Sequence, residues 1–384
     1  MIHPYQGTTV LPSDGVDQIV VAFASFTDIG HWLGMSGSVR AEAIEFNNNS
    51  VVHFDRSESV EVDLPESAIL NDLSQDDAQF SSEHTEVFTY QGAPSASNVA
   101  CRIIDALGDN FDFFVFHSEF RPDHQEARSP WVRFDSGAKG IGIDAASAPC
   151  GEGRLKGHWA LPEWVIQLDE TRDFDVSLTT LAHEILHTWN AYLSFLRSDG
   201  KREPLFGQYC DCHWRPDLHV PAAFPRVGVN TMSIMGGRYW RENMDGSFTP
   251  VQNYYRSGPS WLDLYTMGLV DASEVPDMFV LRNIVAVDSN DQSVNQLDSG
   301  AYWGSAYTAQ KEIISIEQII AAEGAREPNV ALSQKDFNVG FVYLLAPSRV
   351  PSGDLLALHG RFFERAVEYW SHITGGRSRI TTHH

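Results

Sequence analysis

The segment His183-Glu184-Ile185-Leu186-His187 narrows what this chain can become more than any other stretch. Residues four apart on an α-helix share a face. A helix here sets two imidazoles one turn apart, both able to reach a single cation at the usual zinc-to-nitrogen distance of about 2.0–2.1 Å. Glu184 falls between them without having to bind the metal. From there a carboxylate can take a proton from a water whose pKa a zinc ion lowers to about 7. With 15 His in 384 residues, chance alone supplies this pattern in roughly one chain in thirty, so its surroundings decide what it means.

Those surroundings are helical. Residues 175–196 read as one amphipathic helix, with Asp175 or Ser177 as the capping residue. Ala182, Ile185, Leu186, Trp189, Leu193 and Leu196 form an apolar stripe at helical spacing, and His183 and His187 lie beside it. A metal ligand needs that half-buried edge.

A hydrolytic zinc site uses three protein ligands and leaves one position open. The extended metzincin pattern HExxHxxGxxH would put Gly at 190 and His at 193, where this chain has Asn190 and Leu193. His213, in the turn-rich stretch Tyr209-Cys-Asp-Cys-His-Trp-Arg-Pro, is the leading third ligand, ahead of His219 and of the acidic residues Glu203, Asp211 and Asp263. Asp263 reads better as a group that orients an imidazole or caps a helix. A separate structural zinc site from Cys210, Cys212 and His213 or His219 lacks the usual ligand spacing. Further on, Ser233-Ile-Met-Gly-Gly resembles the Met-turn of metzincins, its paired glycines suited to a sharp turn. Tyr239, and with it Tyr265, can offer a hydroxyl to a developing oxyanion.

The formal charge of −24 excludes nucleic acid as a partner, because phosphates would be repelled over the whole surface. The acidic stretch 55–86 reads as solvated surface. No apolar run approaches the 18 or so residues of a membrane-spanning helix, and the opening MIHPYQGTT has no basic n-region of a signal peptide. Four cysteines neither demand nor exclude an oxidising compartment. Cys101 and Cys150 are a possible pair, with free buried thiols favoured, and Cys210 and Cys212 are too close in sequence to bridge each other comfortably.

The element pattern predicts an α+β chain in three parts: a β-rich region over 1–92, a catalytic domain over 93–280 and a small α/β region over 281–384 packing on it. Within these, 16–91 is mostly strand-like with a polar turn at 47–50, and 95–107 is a helix. Strands are expected at 111–117, 139–144, 164–168 and 337–345, and helices at 314–323 and 354–373. Residues 281–303 read as a polar boundary or loop.

At this point HEILHTWNAYLSF, the Cys212-His213-Trp214 triplet, SIMGGRYW with Asp245-Gly246-Ser247-Phe248, and SWLDLYTMGL from Ser260 together resemble a largely uncharacterised set of bacterial zinc metallopeptidases of the zincin type. The likeness covers most of residues 100–375, taking in 112–120, 153–157, 319–324 and 337–345. It implies a zincin-like catalytic domain, zinc (Zn2+) as cofactor and His213 as third ligand, and it slightly favours a secreted or cell-surface location. It supplies no substrate. The leading expectation is therefore a zinc endopeptidase acting on protein or peptide. The alternatives are a zinc amidase acting on glycopeptide or peptidoglycan, for which Trp240 and Tyr254-Tyr255 offer sugar-stacking surfaces, and a non-enzymatic surface-binding module. The last has no use for the carboxylate of Glu184.

Overall fold

Phe113-Phe114-Val115-Phe116 is apolar on both faces of a strand, a pattern that needs cover on both sides. The fold buries all four inside its largest sheet. The computed structural model describes residues 18–23, 39–47, 50–54, 59–60, 85–91, 96–118, 131–162, 168, 173–207, 211–225, 231–251, 257–287, 306–345 and 353–381. In chain order the strands begin with β1 (Gln18–Phe23), β2 (Val39–Asn47), β3 (Ser50–Phe54), β4 (Ser59–Val60), β5 (Thr85–Gln91), β6 (Phe113–Ser118), β7 (Val132–Arg133) and β8 (Gly157–Pro162). They continue with β9 (Ser194–Leu196), β10 (Arg202–Pro204), β11 (Trp214–His219), β12 (Gly236–Glu242), β13 (Phe248–Val251), β14 (Met278–Ala286), β15 (Tyr307–Ile314), β16 (Asp336–Leu345) and β17 (Arg379–Thr381). The helices are α1 (Ala96–Leu107), α2 (Asp175–Leu186), α3 (Trp261–Met267), α4 (Ile316–Glu323) and α5 (Gly353–Ile373). The chain is α+β.

The large sheet runs β3-β2-β5-β1-β16-β6-β8-β7, with β17 beside β16 and β4 beside β2. β16, β6 and β8 are mutually parallel. β7 ends that side antiparallel to β8, Arg133 lying opposite Gly157. Five further strands close on themselves in the order β11-β12-β13-β15-β14. Trp240, Phe248, Phe279, Leu281 and Tyr307 of this barrel form one buried cluster, with Ile284 and Ala286 packed against it. Residues 281–286, expected in a polar loop, are thus strand, because alternate side chains turn toward that cluster.

The helix that carries His183 departs from its sequence reading at both ends. Phe174, in the left-handed region at φ 55°, is the residue before α2, and neither Asp175 nor Ser177 caps it. At the other end α2 stops at Leu186 instead of running to Leu196. The next amides tighten into shorter bonds, Thr188 N to Ile185 O at 3.1 Å and Trp189 N to Leu186 O at 3.0 Å. What ends the helix is packing. Trp189 drops between Phe113 of β6 and Phe337 of β16, with ring centroids 5.9 and 5.4 Å away, and the chain then pairs Ser194–Leu196 with β10. A buried Trp of this kind is worth about 3–5 kcal/mol against truncation to Ala. Residues 139–144 also differ: they hold one isolated bridge, Lys139 to Glu327, instead of a strand. Gly140 and Gly142 there have positive φ, and a Cβ on either would strike the main chain of Ala325 or Tyr192. Of the expected strand at 164–168, only Leu168 is described and it is irregular.

α2 packs between β8 and α5. Phe174 meets Phe362 edge-on at 5.7 Å, and Thr179 shares a 3.3 Å hydroxyl contact with Tyr369, so α5 fixes the outer face of α2. Cys101 of α1 and Cys150 form a disulfide with Cα atoms 5.4 Å apart, which corrects the expectation of free thiols. Forty-nine residues separate them in sequence, and only the fold brings α1 beside the loop before β8. Among the described residues no helix is long and apolar enough to cross a membrane.

His158 of β8 gives the fold a pH dependence that can be measured apart from the site. It is buried, with Ser97 Oγ 2.8 Å from its Nε2, and desolvation lowers it to about 4. Between pH 6.5 and 4 the folded chain therefore binds fewer protons here than the unfolded chain. The stability this group contributes is fully present above 6.5 and lost as pH falls toward 4. The full loss is about 3 kcal/mol. Urea midpoints of wild type and His158→Gln, compared at pH 7 and pH 4.5, are expected to converge as pH falls; a constant gap would refute the assignment.

Candidate metal centre

His183 and His187 point from the last turn of α2 toward the loop that precedes β11, where His213 meets them. The Nε2 atoms of His187 and His213 lie 3.1 and 3.0 Å from Nε2 of His183. Among the described residues this trio is the one His, Cys, Asp or Glu group close enough to share an ion, all ligand atoms lying within 4.8 Å of one another. His183 and His187 are buried at 8% and 7% exposure, and His213 is half-buried.

The proton positions follow from the partners. His183 Nδ1 lies 2.7 Å from the Ile234 carbonyl, which can only accept, so Nδ1 carries the hydrogen. His213 Nδ1 faces Cys212 Sγ at 3.5 Å, and Cys212 is disulfide-bonded, so its sulfur too can only accept. Burial keeps His183 and His187 neutral: His183 is pulled down to about 3, with the neighbouring His213 adding to desolvation, and His187 is pushed well below its ordinary value by burial and by both other imidazoles. With its hydrogen on Nδ1, His183 turns the lone pair of Nε2 toward Nε2 of His213 at 3.0 Å. Tetrahedral zinc–histidine geometry separates neighbouring nitrogens by about 3.3 Å, close to what is found. The residues fit a divalent, nitrogen-seeking ion.

Glu184 directly follows His183 and precedes His187 by three residues, without joining the cluster. Burial pushes its carboxyl up to about 8, partly offset by the Trp131 main-chain N–H. The metal-free carboxyl therefore keeps its proton at neutral pH, and the carboxylate left on deprotonation is a correspondingly strong base.

Two turns of chain support the imidazoles. In the 233–237 turn Ile234 and Met235 are fully buried. Ile234 N donates to Gly258 O at 2.9 Å, and Met235 O accepts from Trp214 N at 2.9 Å. Gly236 and Gly237 sit at φ 101° and 68°, and a Cβ on Gly236 would come within 2.9 Å of Trp214 O while one on Gly237 would strike Val220. The sharp turn expected from the paired glycines is present. Asp263, wholly buried in α3, accepts from Trp214 Nε1 at 2.8 Å, Ser233 Oγ at 2.6 Å, and Ser260 N and Oγ at 2.6 and 2.7 Å. It is a helix-capping tie and not a ligand.

The remaining candidates fall elsewhere. His219, on β11, stacks on Phe279 at 4.3 Å and accepts from Trp240 N through Nδ1. Tyr239 lies on β12 with its ring 5.2 Å from His219. Tyr265 accepts from Arg326 N at 3.0 Å, which occupies its hydroxyl. Glu203 is bound by Arg215 and Arg282 at 2.5 and 2.7 Å. Asp211 is exposed, at φ 54°. Trp240 is buried at 2% exposure and edge-on to Tyr307, so it offers no sugar platform. Tyr254 and Tyr255 lie outside the described residues, as does Cys210. Two neighbours of the site went unread in the sequence: Arg133 on β7, for which no local pattern exists, and Tyr192, whose hydroxyl donates to His187 O at 3.2 Å.

No protein-family model, no curated protein and no solved structure matches this chain.

Proposed function

We propose that the chain is a zinc metallopeptidase with a zincin-like catalytic unit, in which His183, His187 and His213 hold the metal and Glu184 is the general base. One observation carries the reading: three imidazoles bring their ligand nitrogens within 4.8 Å of one another next to a carboxyl whose affinity for a proton burial has raised. A purely structural metal site has no use for that carboxyl. Zinc bound there supplies an open coordination position that acidifies water and polarises a carbonyl. Glu184 takes the proton of the attacking water and delivers it to the leaving amine nitrogen. β7, antiparallel at the end of the large sheet, supports a peptide as substrate, since an extended chain can add to such a strand by main-chain hydrogen bonds. Trp131, the residue before β7, already reaches Glu184, so a peptide aligned there lies across the base.

Metal analysis after dialysis tests the ligand set. His213→Ala is expected to fall from near one zinc per chain to a small fraction, and His219→Ala to keep its metal. The opposite result would hand the third position to His219. Cleavage of casein by the zinc-loaded chain, lost on chelation, tests the reaction. Zinc bound with casein intact while peptidoglycan fragments are cut would move the substrate to a cell-wall amide.

A further inference from the structure

Arg133 and Tyr192 stand beside the ligand helix and have no task in the reaction as described. The Arg133 guanidinium lies over the Tyr192 ring, its carbon 4.6 Å from the centroid, an arrangement that fixes the plane of the fork. Tyr192 is fixed in turn, because its hydroxyl donates to the main-chain oxygen of the ligand His187. The cation is thus attached through one aromatic ring to the metal site, close enough for its charge to be felt at His187 and at Tyr192. Arg133 Nε is buried and has no hydrogen-bond partner. Buried donors are nearly always met, and one left open beside a reaction centre calls for an oxygen that arrives with the substrate.

We propose that Arg133 donates to the substrate oxygen that gains negative charge as water adds to the scissile carbonyl, with Tyr192 as the positioning residue that holds the guanidinium. This rests on the metallopeptidase reading. The water oxygen bonds to the carbonyl carbon, the π pair moves onto the carbonyl oxygen, and the water's proton goes to Glu184. Arg133 gives a hydrogen bond to that oxygen and transfers no proton. When the carbonyl re-forms, the C–N bond breaks and the proton on Glu184 passes to the departing nitrogen. The role expected of a tyrosine at 239 or 265 falls instead to a guanidinium, which carries its charge at every working pH.

Three variants of the full chain test this: Arg133→Gln, Arg133→Lys and Tyr192→Phe, each checked for folding by circular dichroism and for zinc content. On casein, Arg133→Gln is expected to lose about 10²–10³-fold in kcat with KM within about threefold, as for loss of one oxyanion donor. Arg133→Lys should recover part of the loss by keeping the charge. Tyr192→Phe should fall between wild type and Arg133→Gln. A second readout needs no turnover: methylphosphonate, an anion with tetrahedral oxygens, is titrated into the cobalt-loaded protein and followed by the visible spectrum. Arg133→Gln should weaken that binding at least tenfold. Unchanged anion affinity, or a change confined to KM, overturns the proposal and leaves the metallopeptidase reading standing. A wild-type chain that takes up no cobalt and cuts no casein overturns that reading itself.

Discussion

Glu184→Gln is expected to remove between about 10² and 10⁴ of the zinc-loaded protein's rate of peptide hydrolysis while leaving zinc near one equivalent per chain. Gln has the shape of Glu and can still accept the Trp131 N–H that reaches this side chain, so the helix and its imidazoles have no reason to move. It cannot take a proton. The metal-free chains should differ in a second, opposite way. Burial raises Glu184 to about 8, so the folded state holds a proton there that the unfolded state releases from about pH 4.5 upward. Wild type then loses stability as pH rises through that interval, and Glu184→Gln does not. At pH 8 the metal-free variant should have the higher urea midpoint of the two. Stability withheld at one carboxyl in favour of basicity is what a catalytic group shows and a surface glutamate does not. Activity retained within tenfold, or midpoints that track each other from pH 5 to 8, would sink the assignment of Glu184 as base.

The part of the site that the sequence discloses is the part fixed by one period. His183, Glu184 and His187 fall within five positions at the end of α2, and 3.6 residues per turn places them whatever surrounds them. The strand at Phe113 and the helices at 316–323 and 353–373 were legible for the same reason, since each carries its own alternation or stripe. The length of α2 was not. The stripe continues through Leu193 and Leu196, and nothing local reveals that Trp189 gains more by entering the Phe113–Phe337 pocket than by extending the helix. Tertiary packing overrides the pattern there. Likewise 139–144 was expected as a strand, whereas close approach of the 324–325 and 192 main chain demands glycine at 140 and 142.

His213 lay between these cases. Loop position and resemblance pointed to it over His219, but six residues of separation cannot decide which of two imidazoles turns to the helix. The strand pairing decides, since β11 lays His219 against Phe279 of β14 while His213, just before the strand, meets His183. Arg133 and Tyr192 lie 59 residues apart and meet where the guanidinium covers the ring. The Cys101–Cys150 bond has the same character. Contacts across that separation leave no trace in spacing.

The second large effect is expected at a residue that touches no ligand. Asp263 gathers donors from three segments, and two of those segments hold the imidazoles. Trp214, which gives it the indole N–H, follows His213 directly; Ser233, which gives it a hydroxyl, precedes Ile234, whose carbonyl fixes the proton on His183. The third, Ser260, completes a capping box at the start of α3. Burial pushes this carboxyl up, and those four hydrogen bonds work against the rise. Asp263→Ala leaves their donors buried with no acceptor, at about 1–3 kcal/mol for each that water cannot reach. A loss of about 3–5 kcal/mol in unfolding free energy follows, together with a 10- to 100-fold loss of zinc affinity, the range seen when groups that orient metal ligands are removed. Asp263→Asn keeps one acceptor oxygen but turns an amide N–H₂ toward either the indole or the serines, so it should fall between. The two losses are separable, because zinc affinity can be titrated at a temperature where the variant is still folded. Affinity unchanged under those conditions would reduce Asp263 to a cap for α3. Affinity lost in step with the Trp214 and Ser233 bonds would make it the tie that holds His213 and His183 at one point.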